Sequence, residues 1–168
     1  SASNSQFIGT LTGYSSSIAY DAVYVGVQSG YQAKNAYGSV FIGRNAGAQL
    51  SQSYRATMIG QEAGFQSNIN YYANFLGFAA GEYSTNSIYS NFLGYGTGYL
   101  STGSYDSNFI GDAAGQFTSG SYGSNLIGVS AGSNTANAYQ SNFIGYQSGR
   151  YASGSYRSNS IGYLTGYQ

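Results

Sequence analysis

Acid–base and nucleophilic chemistry have little to work with in this chain. It contains no histidine and no cysteine, so the commonest proton shuttle and the strongest side-chain nucleophile are both missing. Five carboxylates remain, Asp21, Glu62, Glu82, Asp106 and Asp112, scattered along the sequence. Asp106 and Asp112 are close, but a pair with no third ligand has the pattern of a solvated edge more than of a metal site. A calcium-binding nonapeptide roll needs an aspartate in every turn, and that is absent. The glycines form no phosphate loop, because no lysine follows in the required place and no helix is expected after them. These residues point away from an enzyme, a metal site or a bound cofactor.

Binding is the other chemistry on offer. The 20 tyrosines include Tyr95, Tyr99, Tyr146, Tyr151 and Tyr163 at irregular positions, where aromatic faces could stack on sugars and form a diffuse glycan-binding surface. The blander reading is generic surface aromatics on a chain of low charge. Lysine and arginine number five, aspartate and glutamate five, for a formal net charge of zero. No basic stripe exists to grip a phosphate backbone, so nucleic acid is not an expected partner. No apolar run approaches the roughly 20 residues of a membrane helix, and no charged and apolar leader opens the sequence, so membrane insertion is not expected. The lack of cysteine rules out a disulfide framework and leaves the redox compartment open.

What must position these residues is a repeat. The segment "SNFIGYQSGR", from Ser141, has near-copies in "SNFLGYGTGY" from Ser90 and "SNFIGDAAGQ" from Ser107. The first glycine of each copy falls every 17 residues, at Gly9, Gly26, Gly43, Gly60, Gly77, Gly94, Gly111, Gly128, Gly145 and Gly162, and a second follows four places later, from Gly13 to Gly166. Ten cycles pass without an insertion or deletion. A stacked coil, each turn lying on the one before, forbids such slips, whereas a loop-connected globular fold tolerates them. The chain therefore reads as one all-β domain over residues 1–168, a parallel β-solenoid of ten 17-residue turns. It begins and ends in mid-repeat, as a segment of a longer fibrous protein would. Ten turns at ~4.8 Å each give a rod about 45–50 Å long.

With the first glycine as position 1, each column of the repeat has its own character. Position 17 holds Ile8, Val25, Ile42, Ile59, Leu76, Leu93, Ile110, Ile127, Ile144 and Ile161. This unbroken run of branched aliphatics is expected to be the solenoid core. Position 16 holds Phe7, Tyr24, Phe41, Met58, Phe75, Phe92, Phe109, Leu126, Phe143 and Ser160. Adjacent strand residues point to opposite faces, so with position 17 inside, position 16 faces out. A ladder of Phe7, Phe41, Phe75, Phe92, Phe109 and Phe143 facing water would make an apolar stripe large enough to demand a cover. The simplest cover is another copy of the chain, in a closed symmetric oligomer.

The other columns describe a thin coil. Position 4 is always small, from Thr12 and Ser29 to Thr165, and position 14 is only alanine or serine, as at Ala73 and Ser141. Glycines at positions 1 and 5 are expected to turn the chain at positive φ. Position 15 starts as Val23, Val40 and Thr57 and then reads Asn74, Asn91, Asn108, Asn125, Asn142 and Asn159. Stacked asparagines in register can bond amide to amide along the stack; the other reading is a row of ligand-binding amides. From Tyr20 to Tyr156 position 12 is tyrosine except for Ile88, so it wants apolar bulk more than a hydroxyl, with the phenol at a wet edge.

The string "GYQSGRYASGSYRSNSIGY", Gly145 to Tyr163, resembles the repeats that precede self-cleaving chaperone domains in phage tail fibres and bacterial surface proteins, relatives of the head repeats of trimeric autotransporter adhesins. The shared features are the branched residue before the first glycine, the small residue at position 4 and the asparagine at position 15, as in Ile144, Ser148 and Asn142. All ten cycles fit. The resemblance implies a left-handed parallel β-roll or β-helix, assembled as a homotrimer about one axis. It also implies an extracellular, cell-surface or virion location, and a function in display and attachment to a host or surface. The chain departs from the pattern in its phenylalanine at position 16, where alanine is usual, and in its second glycine at position 5. The competing readings are a module that recognises a cell-surface glycan or receptor, and an ice-binding solenoid. The threonines at Thr57, Thr85, Thr102 and Thr135 do not line up in one column, which counts against ice.

Overall fold

The computed structural model describes residues 2–166. Among them there is no helix, and every strand pairing is parallel. Each turn contributes two strands. In the middle of the chain these are Thr85–Ile88, at positions 9–12, and Asn91–Leu93, at positions 15–17. The first set stacks into a nine-stranded sheet and the second into a ten-stranded one. We call them the tyrosine sheet and the asparagine sheet after the side chains they display. Register never slips: Phe75 pairs with Phe92, Phe92 with Phe109, and Tyr105 with Tyr122, always 17 residues on. Ten motif glycines frame nine full coils, so the solenoid has about nine turns where ten cycles were counted in the sequence.

The third side of the coil, positions 1–7, is not strand but is bound as tightly. Gln28 N–H donates back one turn to Thr10 O at 2.9 Å, Gly30 N–H donates forward to Ala46 O at 2.9 Å, and Tyr31 N–H closes a turn onto Gln28 O at 3.1 Å. This is the accounting that backbone polar groups require when a thin coil has little water inside.

Corners are made by left-handed backbone. Glycines at position 1 sit at φ between +127° and +137°, a region closed to side chains, and a Cβ on Gly26 would stand 2.6 Å from the carbonyl oxygen of Gly43 one turn on. Positions 3, 7, 10 and 13 also take φ near +50° to +60° with ordinary residues, for example Ala79, Tyr83, Asn86 and Tyr89 in a single turn. Asparagine, aspartate and glycine recur at positions 10 and 13, as at Asn35, Asn137, Gly120, Asp21 and Gly123, because these residues tolerate that region best.

The core reverses the expectation from sequence. Tyr24, Phe41, Met58, Phe75, Phe92, Phe109, Leu126 and Phe143 are all at most 1% exposed. They fill the inside of the coil, so Phe41, Phe75, Phe92, Phe109 and Phe143 are not a subunit interface. Phe7, in the first turn and partly exposed, is the last ring of the same stack, 4.9 Å from Tyr24. Ile8, Ile42, Ile59, Leu76, Leu93, Ile110, Ile127, Ile144 and Ile161, expected inside, lie on the outer face of the asparagine sheet. Leu76 and Ile110 are each 37% exposed, and Ile8 and Ile161 near the two ends more so. The physical reason is the two-residue period of a strand. Position 14 is small and buried, so position 16 points in with it, while positions 15 and 17 point out together.

Volume agrees with this orientation. In one turn Ala80, Ser84, Ser87, Ser90 and Phe92 face inward, all fully buried. Four small residues leave room for one large one. Its ring lies flat on the rings above and below: Phe92 stands 4.9 Å from Phe75 and 4.7 Å from Phe109, with planes within 8°. Serines at position 14 line the stack. Ser90 Oγ lies 3.0 Å from Ile88 O and 2.9 Å from Ser104 O, and accepts from Ser107 N–H at 3.3 Å.

Candidate functional site

Function has to be sought on the outside, and the three sides of the coil differ. On the asparagine sheet the amides form the expected ladder. Asn74 Nδ2 donates to Asn91 Oδ1 at 2.8 Å, and the pattern repeats through Asn108, Asn125 and Asn142 to Asn159, at 2.7–2.9 Å. Each amide from Asn91 to Asn142 spends one donor and one acceptor on its neighbours, which leaves it poorly placed as a free ligand-binding group. Beside this ladder runs the aliphatic column of position 17. None of the ten charged residues falls at position 15 or 17, so this face is uncharged from end to end.

The tyrosine sheet carries position 12. In its last turns Tyr105, Tyr122, Tyr139 and Tyr156 stack at 4.8–4.9 Å with planes within 8°. Rings stacked in this way cover each other's faces and show only edges and hydroxyls outward. The order fails between Tyr37 and Tyr71, where the Tyr37–Tyr54 and Tyr54–Tyr71 ring planes are inclined by 43° and 87°.

The tyrosines marked from sequence as glycan contacts lie on the third side, and the fold brings only some of them together. Tyr95 and Tyr99 line one shallow hollow of about 170 Å³ with Phe78, Glu82 and Gln116. Tyr95 stacks on Phe78 at 5.1 Å, and Tyr99 stands edge-on between Tyr83 and Phe117. Tyr146 stacks on Tyr163 at 5.2 Å. Tyr151 lies under the Arg150 guanidinium, 4.9 Å from its ring centre. Most of these rings already spend a face on a neighbour.

The carboxylates do not converge. Among the described residues no group of three or more His, Cys, Asp or Glu is placed to hold a metal ion. Glu62 pairs with Arg44 at 3.7 Å. Burial, and then the charge of Glu62, pushes the Glu82 carboxyl above its usual range, against a hydrogen bond from Tyr83 that lowers it. Thr85 and Thr102 stand in register on neighbouring strands, a pair and not a lattice. Among the described residues no helix is long and apolar enough to cross a membrane.

Sequence reasoning missed the irregular patch around Tyr54. Its signal was Arg55 at position 13 beside a tyrosine; Arg157 holds the same place beside Tyr156, but its Nε donates to Gln140 Oε1 at 3.1 Å and that ring stays stacked. Compared with known proteins, the chain matches no family model, no curated protein and no solved structure.

Proposed function

We propose that this chain is a shaft segment of a trimeric surface fibre, in which the outer faces of three asparagine sheets pack around a common axis. The observation that carries the reading is the uncharged face itself. It presents a continuous aliphatic column from Ile8 to Ile161, and next to it asparagines whose amides already satisfy one another. Charge depletion with exposed branched aliphatics is the composition of an interface core, and a stripe of this length is more than isolated surface residues explain. Exact register keeps the column straight, so a second rod can follow it over its full length. Three copies are chosen over two on the resemblance to fibre and adhesin repeats. In this role the rod supplies length, stiffness and display outside a cell or on a virion.

The test is the mass of the particle in solution, by light scattering behind a sizing column. Three times the 17.6 kDa chain is expected. Replacing Leu76, Leu93 and Ile110 together with asparagine should give a folded monomer, because that change extends the amide lattice on a face that is already outside. A wild-type monomer at micromolar concentration would sink the fibre reading.

A further inference from the structure

The tyrosine column is interrupted by Ile88, and at Tyr54 its rings lose their stacking and open into a cleft. Tyr20 and Tyr37 are still stacked, at 5.3 Å and 16°. At the next step Tyr54 turns out of the column, 6.2 Å from Tyr37, and meets Tyr71 and Tyr72 edge-on at 6.4 and 5.5 Å. The Arg55 guanidinium sits at the turn. It lies 5.3 Å from the centre of the Tyr54 ring and 5.9 Å from that of Tyr72, and a cation over two aromatic faces holds both rings toward itself.

The rings fan apart around a cleft of about 360 Å³, walled by Tyr37, Tyr54, Tyr71 and Tyr72 with the amides of Asn35 and Gln52. Gln52 Oε1 accepts from the Tyr71 hydroxyl at 2.9 Å. Among the described residues the Asn35 amide and Gln52 Nε2 have no partner. No carboxylate lines the cleft.

We propose that this cleft binds a neutral pyranose ring of a glycan. Aromatic faces that have left their stack match the C–H faces of a sugar. Planar amides with spare donors and acceptors match pairs of neighbouring hydroxyls, and the absence of a carboxylate leaves nothing to call for a cationic ligand. The volume sits at the lower end of the ~300–1,000 Å³ usual for small-molecule sites, which suits one ring or two. The hollow beside the intact ladder, lined by Tyr122, Tyr139 and Tyr156 with Asp106, Gln140 and Arg157, is charged, its amide oxygen is taken by Arg157 and its rings cover one another's faces. The cleft lies on the tyrosine sheet and the uncharged face on the asparagine sheet, so the site stays open in the proposed fibre and its test is independent of assembly.

The experiment titrates the full chain, with carbon-13 in its tyrosine rings, with the methyl pyranosides of glucose, galactose, mannose and N-acetylglucosamine at millimolar concentration. Ring signals of Tyr37, Tyr54 and Tyr71 should shift saturably with at least one of them. Gln52→Ala should weaken that binding about tenfold, the loss of roughly one hydrogen bond. Tyr54→Ala should abolish it, and Tyr122→Ala should leave it unchanged. All three positions are on the outer face, and thermal melts confirm that each variant is folded. No shift with any of the four sugars, shifts spread equally over Tyr105–Tyr156, or binding that survives Tyr54→Ala would overturn the proposal. Binding confined to an acidic sugar, tested with the methyl glycoside of sialic acid, would overturn it as well.

Discussion

Gly81 lies flat against the ring of Phe75: a Cβ built on that glycine would stand 2.5 Å from Cδ2 and 2.6 Å from Cε2. The two residues are six apart in one turn, and the contact recurs at Gly98 with Phe92. Position 5 is therefore glycine for two reasons, a left-handed φ of +66° and a ring that occupies the space of a side chain. Gly81→Ala combines the left-handed penalty with overpacking and should destabilise the fold by about 2–4 kcal/mol. Leucine in place of Phe75 would not relieve the clash, since a Cβ on Gly132 would stand 2.6 Å from Leu126 Cδ1. The partner change is therefore Phe75→Ala: it removes the opposing ring, and in the Gly81→Ala background it should cost less than it does alone. A double-mutant cycle in urea would read that coupling, and strictly additive effects would mean that ring and glycine do not oppose each other.

Neighbouring residues Phe92 and Leu93 should respond to serine in opposite ways. Phe92→Ser removes a buried ring from the middle of the stack and should cost about 3–5 kcal/mol, seen as an early denaturation midpoint. Leu93→Ser changes an outer side chain and should cost the single chain about 1 kcal/mol or less, while lowering the mass of the assembly in light scattering. Equal loss of stability from both substitutions would contradict the orientation of the strand.

Much of this was legible in the residues, and the error had a definite source. The 17-residue clock at Gly9 to Gly162 allowed only a stacked coil, and the run of asparagines from Asn74 allowed a ladder. Choosing which of Phe92 and Leu93 faces inward required a longer stretch of strand. The order Ser90, Asn91, Phe92, Leu93 already alternates small, amide, ring, aliphatic, and an outward Asn91 puts Phe92 on the inside with Ser90. Treating a perfect aliphatic column as core ignored that branched residues also suit the outer face of a strand. The left-handed corners at positions 3, 7, 10 and 13 were harder to see, because tyrosine and isoleucine occupy them alongside glycine and asparagine. The splayed Tyr54 was not legible at all. It depends on where one guanidinium settles between two turns.

Those corners give a stabilising substitution. Ile69 holds φ at +56°, a region where a β-branched residue is a clear outlier. Asn86, one turn after, holds the same corner at φ +55°, as Asn35 does at +51° two turns before, and Gln52 stands at the equivalent position one turn before. Ile69→Asn relieves the left-handed cost and places an amide between two others, so it should stabilise the fold by about 1 kcal/mol. The change is read from the denaturation midpoint. A loss of stability would mean that the apolar contacts of the half-buried isoleucine outweigh its backbone strain.

Tyr24 is the one phenol in the core column, and its hydroxyl is buried with no hydrogen-bond partner among the described residues. Leaving such a group unsatisfied costs about 1–3 kcal/mol, so Tyr24→Phe should stabilise the protein by that order. Burial also pushes the phenol well above its ordinary value, because the anion would lose its water. The sign of the linkage follows. Below pH ~10 both folded and unfolded Tyr24 are protonated and the stability is fully present. Above it the unfolded chain releases the proton while the folded chain keeps it, so stability falls as pH rises. Tyr24→Phe has no such proton, and its advantage should widen between pH ~9 and ~11 in matched urea titrations. An advantage that is absent at neutral pH, or constant across that range, would place the hydroxyl in contact with a polar partner or with solvent.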